Sequence, residues 1–171
     1  MEPPPDSAPV SERPSVDDLR ELALFGGLSD GALSLLTDTL YRIRAAQGDV
    51  IFRCGDDARE LYIVLSGEVE LCGQTKGGKL HRIAMLSPGH SFGEICVLDV
   101  QRRATTARAV AASRLLVLSS KDLDALYRHD LKAYTMFMLN MCRELCRRLR
   151  LAGTNLAELI DQLEDRNGSR V

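Results

Sequence analysis

The 171-residue chain has no apolar run approaching the roughly 18 to 20 residues that a membrane-spanning helix needs, and its N-terminus lacks the basic-then-apolar layout of an export signal. A cytoplasmic protein with no membrane partner is therefore expected. There is no excess of one charge: 22 Lys and Arg stand against 24 Asp and Glu, a formal net charge of -2, which gives no electrostatic ground for binding nucleic acid. The three histidines, His81, His90 and His129, are scattered and form no ligand set with carboxylates, so neither a metal nor a metal-dependent enzyme is expected. The five cysteines, Cys54, Cys72, Cys96, Cys142 and Cys146, are odd in number and lack metal-type spacing. They read as reduced thiols, with Cys142 and Cys146, one helical turn apart, leaving an oxidative role open.

What the chain does contain falls into distinct stretches. Residues 1–14 are rich in proline, serine and acid and have too few large apolar residues to fold, so a disordered tail is expected there. Ser15 with Asp18, and then Ser29, are N-cap candidates for short helices whose Leu19, Leu22, Leu33, Leu36 and Leu40 recur at helical spacing. From Tyr41 to Leu118 the texture changes to short β-prone runs: Val50-Ile51-Phe52, Leu61 to Leu65, Val69 to Cys72, Leu80 to Leu86 and Leu115 to Leu118. Gly-Asp, Ser-Gly, Gly-Gly and Pro-Gly signals separate them, and Lys76 to Lys79 reads as a hairpin tip. Many short strands at close spacing argue for an antiparallel sandwich or rolled barrel.

Within this stretch, Phe92-Gly93-Glu94-Ile95-Cys96 is followed by Arg103-Ala104-Thr105-Thr106-Ala107. Gly93 lacks a Cβ and permits close approach of the backbone. Glu94 can accept a hydrogen bond from a sugar hydroxyl, and Arg103 presents a fork of donors matched to phosphate oxygens. The combination points to a grip on a small phosphorylated sugar. Arg102 is the weaker candidate, because neighbouring strand residues face opposite ways.

The same residues resemble the phosphate-binding cassette of cyclic nucleotide-binding domains, the family of the catabolite activator protein, the regulatory subunits of cAMP-dependent protein kinase and the ligand domains of pacemaker channels. Leu24 to Ser29, Gln47 to Ile51, Leu61 to Gly67 and Leu86 to Gly89 occur in the family's order, so the resemblance spans about Leu22 to Leu149. It implies a mainly β fold with flanking α: an eight-stranded antiparallel jelly roll with N-terminal helices and a long C-terminal helix. It also implies that backbone N–H groups around Ile95, Cys96, Ala104 and Thr105 join Arg103 at the cyclic phosphate, and that Glu94 bonds the ribose. Leu71, Ala84 and Leu86 would lie against the base, under a lid residue such as Arg143 or Arg147. Ala104, following the arginine, implies cAMP rather than cGMP, with no further cofactor and no catalytic residues.

Ser119 with Asp122 opens a short helix ending near Asp130, which completes a unit at residues 15–130. A lid and dimerisation helix is expected over residues 131–165, with a tail at 166–171. Met138, Met141, Leu145, Leu149, Ala152, Leu156, Leu159 and Leu163 form a seam whose second half outruns the barrel. That seam suggests a parallel homodimer, and the remaining output would be an unidentified downstream protein. Direct reading of DNA is not expected, since only Asp165 to Val171 lie beyond the seam helix in this sequence. A jelly-roll enzyme would need the histidine cluster that is missing. The alternatives left open are a degenerate pocket used for protein contact and a different ligand, such as cGMP or a cyclic dinucleotide.

Overall fold

A computed structural model describes residues 9–10, 13–75, 77–99 and 101–168. Within that range two antiparallel sheets form a roll. One has the order β1-β2-β9-β4-β7 and the other β3-β8-β5-β6, where β1 is Pro9–Val10, β2 Tyr41–Ala45, β3 Val50–Phe52, β4 Glu60–Ser66, β5 Val69–Gln74, β6 Leu80–Leu86, β7 Ser91–Phe92, β8 Thr106–Ala109 and β9 Ser113–Ser119. Apart from the two-residue β1, eight strands make up the expected jelly roll. Successive strands mostly alternate between sheets, so each turn of chain carries the roll from one layer to the other.

Strand β9, at the centre of its sheet, is buried on both faces from Leu115 to Leu118, and this explains the unbroken apolar run Leu115-Leu116-Val117-Leu118. Leu115 and Val117 point into the roll with Ile43, Phe52, Val69, Leu86 and Phe92. Leu116 and Leu118 point outward with Leu61 and Ile63, where the helices cover them. Those helices are α1 (Val16–Arg20), α2 (Asp30–Thr37), α4 (Ser120–His129) and α5 (Leu131–Gly168), with a single 3-10 turn at Ala23–Phe25.

The helix starts fall where the caps predict. Asp18 N donates to Ser15 Oγ at 3.1 Å and Ser15 N to Asp18 Oδ2 at 2.7 Å. Ser29 caps α2, and Ser119 with Asp122 caps α4. Phe137 and Met141 of α5 are buried against Phe25 and the other helices. Gly67, at φ 83°, lets β4 turn into β5 against β9: a Cβ there would sit 2.3 Å from Ser113 Oγ.

Two boundaries differ from the sequence expectations. Pro9 and Val10, inside the stretch read as a tail, pair antiparallel with Ile43 and Arg42 of β2; the rest of residues 1–12 lies outside the described residues. At the other end α5 continues through 166–168, because nothing between Leu163 and Gly168 breaks a helix, and residues 169–171 lie outside the described range.

Candidate functional site

The site is built where β7 gives way to α3 (Glu94–Asp99) and where the chain enters β8. Gly93 stands at the joint with φ 81°, a left-handed conformation that side-chain-bearing residues rarely adopt. A Cβ on it would lie 2.5 Å from Arg103 Nη1 and 3.2 Å from the Glu60 carbonyl oxygen. The glycine was expected to admit a ligand; in the structure it makes room first of all for the arginine.

Arg103 is only 3% exposed. Its Nη1 donates to the Gly93 carbonyl at 2.9 Å and its Nη2 to the Glu60 carbonyl at 2.8 Å. The Glu60 carboxylate lies 3.7 Å away. The guanidinium carbon sits 4.1 Å over the centroid of the Phe52 ring and 5.6 Å from that of Tyr62, and Tyr62 in turn stacks on Phe92. An arginine placed on an aromatic floor and tied to two carbonyls is held in one orientation. Burial, and then the nearby Glu60 charge, push the Tyr62 hydroxyl up to about 12, so the floor stays neutral. The main chain is pinned as well: Arg103 N donates to the Asp56 carbonyl and Gly55 N to the Arg103 carbonyl. Arg102 turns outward to the Gly55 carbonyl and Asp57, although residues 101–103 precede β8 and are not strand, so the alternation expected from sequence is not what separates the two arginines.

Glu94, in the first turn of α3, is 4% exposed. Arg148 of α5 reaches it, with Nη1 3.2 Å from Glu94 Oε1, while Arg148 Nη2 donates to the Ser91 carbonyl and Nε to Glu144 at 3.0 Å. Burial raises the Glu94 carboxyl above the ordinary glutamate value, and the Arg148 charge, with a smaller contribution from Arg103, pulls it partly back. Two buried polar atoms of the site have no partner among the described residues: Glu94 Oε2 and Arg103 Nε. An acceptor and a donor left unpaired in one buried region are costly unless something outside the chain meets them.

The remaining expected residues divide. Leu71 faces Ala84 across β5 and β6, and Val69 faces Leu86, so all three expected base-contact residues lie on neighbouring strands of one sheet. Leu86 is buried and Leu71 packs against the interior of the roll. Ile95 is half exposed, Ala104 is exposed and accepts a contact from Cys54 Sγ at 3.5 Å, and Thr105 is partly buried. The side chain of Cys96 lies outside the described residues, although its backbone belongs to α3.

Neither residue expected as a lid reaches Glu94 in this structure. Arg143 points to solvent and donates to Asn140, three residues back on its own helix, and Arg147 pairs with Glu144 while largely exposed. Arg148 is the helix residue at the site. A signal for it existed: it follows Met141 and Leu145 at intervals of four and three, on the side of α5 that faces the barrel. Glu60, Phe52 and Tyr62 were not anticipated, because strand neighbours far apart in sequence bring them together.

The profile described as "Cyclic nucleotide-binding domain" matches residues 42–130, and the chain belongs to that family. Its sequence is 37% identical to the Cyclic AMP receptor protein of Thermus thermophilus over 84% of this chain and 64% of the relative. The crystal structure of the Thermus thermophilus catabolite activator protein matches with a TM-score of 0.67 at 36% identity, covering 80% of this chain and 62% of that one. A cyclic nucleotide-binding domain from Methylobacillus flagellatus reaches a TM-score of 0.80 over 90% of this chain and 89% of its own; at 20% identity it supports the fold alone. The chain thus spans just under two thirds of the Thermus relative. Among the described residues no helix is long and apolar enough to cross a membrane, and no group of His, Cys, Asp and Glu side chains is placed to hold a metal.

Proposed function

We propose that this chain is a cAMP-binding regulatory domain acting in the cytosol, without a further cofactor or chemistry of its own, that reports ligand through α5. The carrying observation is the pair of buried, unpartnered atoms, Glu94 Oε2 and Arg103 Nε. A ribose hydroxyl supplies the donor that the first requires, and a phosphate oxygen the acceptor that the second requires. The cyclic phosphate would lie between Arg103 and the backbone N–H groups of Ile95, Cys96, Ala104 and Thr105. The base would rest on Leu71, Ala84 and Leu86. The name of the Thermus relative, and Ala104 in place of a hydroxyl-bearing residue, favour adenine over guanine.

Arg148 satisfies half of the Glu94 carboxylate and so couples α5 to the site. A nucleotide that also contacts Glu94 alters that bridge, which shifts the population of α5 positions. The output is a changed α5 surface, presented within a homodimer or to a downstream protein. Titration with fluorescent cAMP, challenged with unlabelled cAMP, cGMP and a cyclic dinucleotide, tests the reading. Displacement at lowest concentration by cAMP supports it, preference for another nucleotide reassigns the ligand, and no binding of any would leave a fold used only for protein contact.

A further inference from the structure

The solvent side of α5 keeps a strict three-then-four spacing from Leu139 through Cys142, Cys146, Leu149, Gly153, Leu156 and Ile160 to Leu163. At about 100° per residue these positions form one stripe, turned away from the Phe137, Met141 and Arg148 side that rests on the barrel. Leu149, Leu156 and Leu163, seven residues apart, are 74, 59 and 58% exposed. Cys142 and Cys146 lie exposed in the same stripe as free thiols. The seam expected from sequence therefore shifts by one residue except at Leu149, Leu156 and Leu163; in its first half this is because Met138, Met141 and Leu145 are taken up by the chain's own core.

A seven-residue apolar period is covered by another helix with the same period, knobs into holes, and a second copy of this chain provides one by two-fold symmetry. In a parallel pair each seam residue meets its own counterpart, so Cys142 faces the Cys142 of the second copy and Cys146 its Cys146. Resting on the homodimer proposed above, we propose that Cys142 and Cys146 form a redox-modification site at which disulfides join two copies across the α5 seam. As each S–S bond forms, two thiols give up two protons and two electrons; hydrogen peroxide accepts them, and its O–O bond breaks to yield two waters. The Cys146 link lies two residues from Arg148 and the Cys142 link six, so together they restrain the segment of α5 that bridges to Glu94.

The full-length chain is first sized by light scattering in reductant, where a dimer is expected, and is then treated with hydrogen peroxide and run on a non-reducing gel. The expected product is a covalent dimer reversed by reductant, in which mass spectrometry joins like peptides ending at Arg143 or at Arg147. A C142S/C146S double variant stays dimeric in reductant but does not cross-link, and C54S cross-links like the parent. A reduced dimer that fails to cross-link, or that links through any other cysteine, overturns the disulfide site and leaves the dimer standing. A monomer in reductant overturns both, and the nucleotide titration remains a separate measurement in either case.

Discussion

Arg148 Nη1 lies 3.2 Å from Glu94 Oε1, a bridge between a helix at the end of the chain and a carboxylate buried at the mouth of the roll. Arg148 is about a quarter exposed and Glu94 almost fully buried, so most of the cost of removing the bridge falls on the glutamate. Arg148→Met is expected to strand that carboxylate and lower stability by about 1 to 3 kcal/mol, the usual penalty for an unsatisfied buried group. It should also speed amide exchange across 141–149 in the ligand-free protein. Unchanged exchange in that segment would show that the bridge does not hold the helix.

Glu94 makes the site sensitive to pH in two opposite senses. Because burial raises its folded-state value, the folded protein keeps a proton that the unfolded chain has already released. Stability should therefore fall as pH rises from the ordinary glutamate value to the raised one. Under the proposed Glu94–ribose contact, ligand affinity should move the other way, because the ionised carboxylate is the stronger acceptor. Glu94→Gln should flatten both dependences and weaken nucleotide binding. Denaturation midpoints and binding isotherms at matched pH values check the signs.

Arg103 contributes geometry as well as charge. Arg103→Lys keeps a cation and three donors, but all on one nitrogen, so it cannot span the Gly93 and Glu60 carbonyls from two separate atoms as the guanidinium fork does. Losing a hydrogen bond to a charged group costs about 1.5 to 3 kcal/mol. Calorimetry should find cAMP affinity reduced by at least an order of magnitude. Wild-type affinity in the lysine variant would mean that the phosphate is held elsewhere.

Gly93→Ala places a methyl group 2.5 Å from the same guanidinium and forces a left-handed backbone on alanine. The backbone alone costs roughly 1 to 2 kcal/mol. Because Arg103 must shift, nucleotide affinity should drop as well as the melting temperature. Gly48→Ala, also at positive φ but with open space around its Cβ, should lower stability and leave affinity intact. The contrast between the two variants separates strain from displacement of the arginine.

Gly153 sits in the exposed half of α5, where an added Cβ would project into open space with no neighbouring atom within 4 Å. Gly153→Ala should strengthen that helix by about 0.5 to 1 kcal/mol and slow its amide exchange.

Much of this was legible in the sequence because it depends on neighbours along the chain. Ser15 with Asp18 and Ser119 with Asp122 cap helices three residues on, and β3 and β6 begin and end at the residues their apolar runs predict. Strands β7 and β8 were not marked as strands, since two residues of Ser-Phe and an alternation of Thr, Ala and Arg carry little β signal without their partners in β4 and β5. The pairing of Gly93, Glu94 and Arg103 was written locally and survives folding. The helix residue that reaches the site was not, because one step along α5 turns a side chain by about 100° and the rotation of that helix is set by how Phe137 and Met141 bury themselves.

By itself the sequence determined the family, the strand-rich middle, the cassette and the long terminal helix, all of which follow from patterns within one segment. Tertiary structure alone decided that Arg103 lies on Phe52 and Tyr62 and that Arg148, rather than Arg143, meets Glu94. Those contacts join residues tens of positions apart, and their distances are set by sheet pairing and core packing that no local pattern encodes.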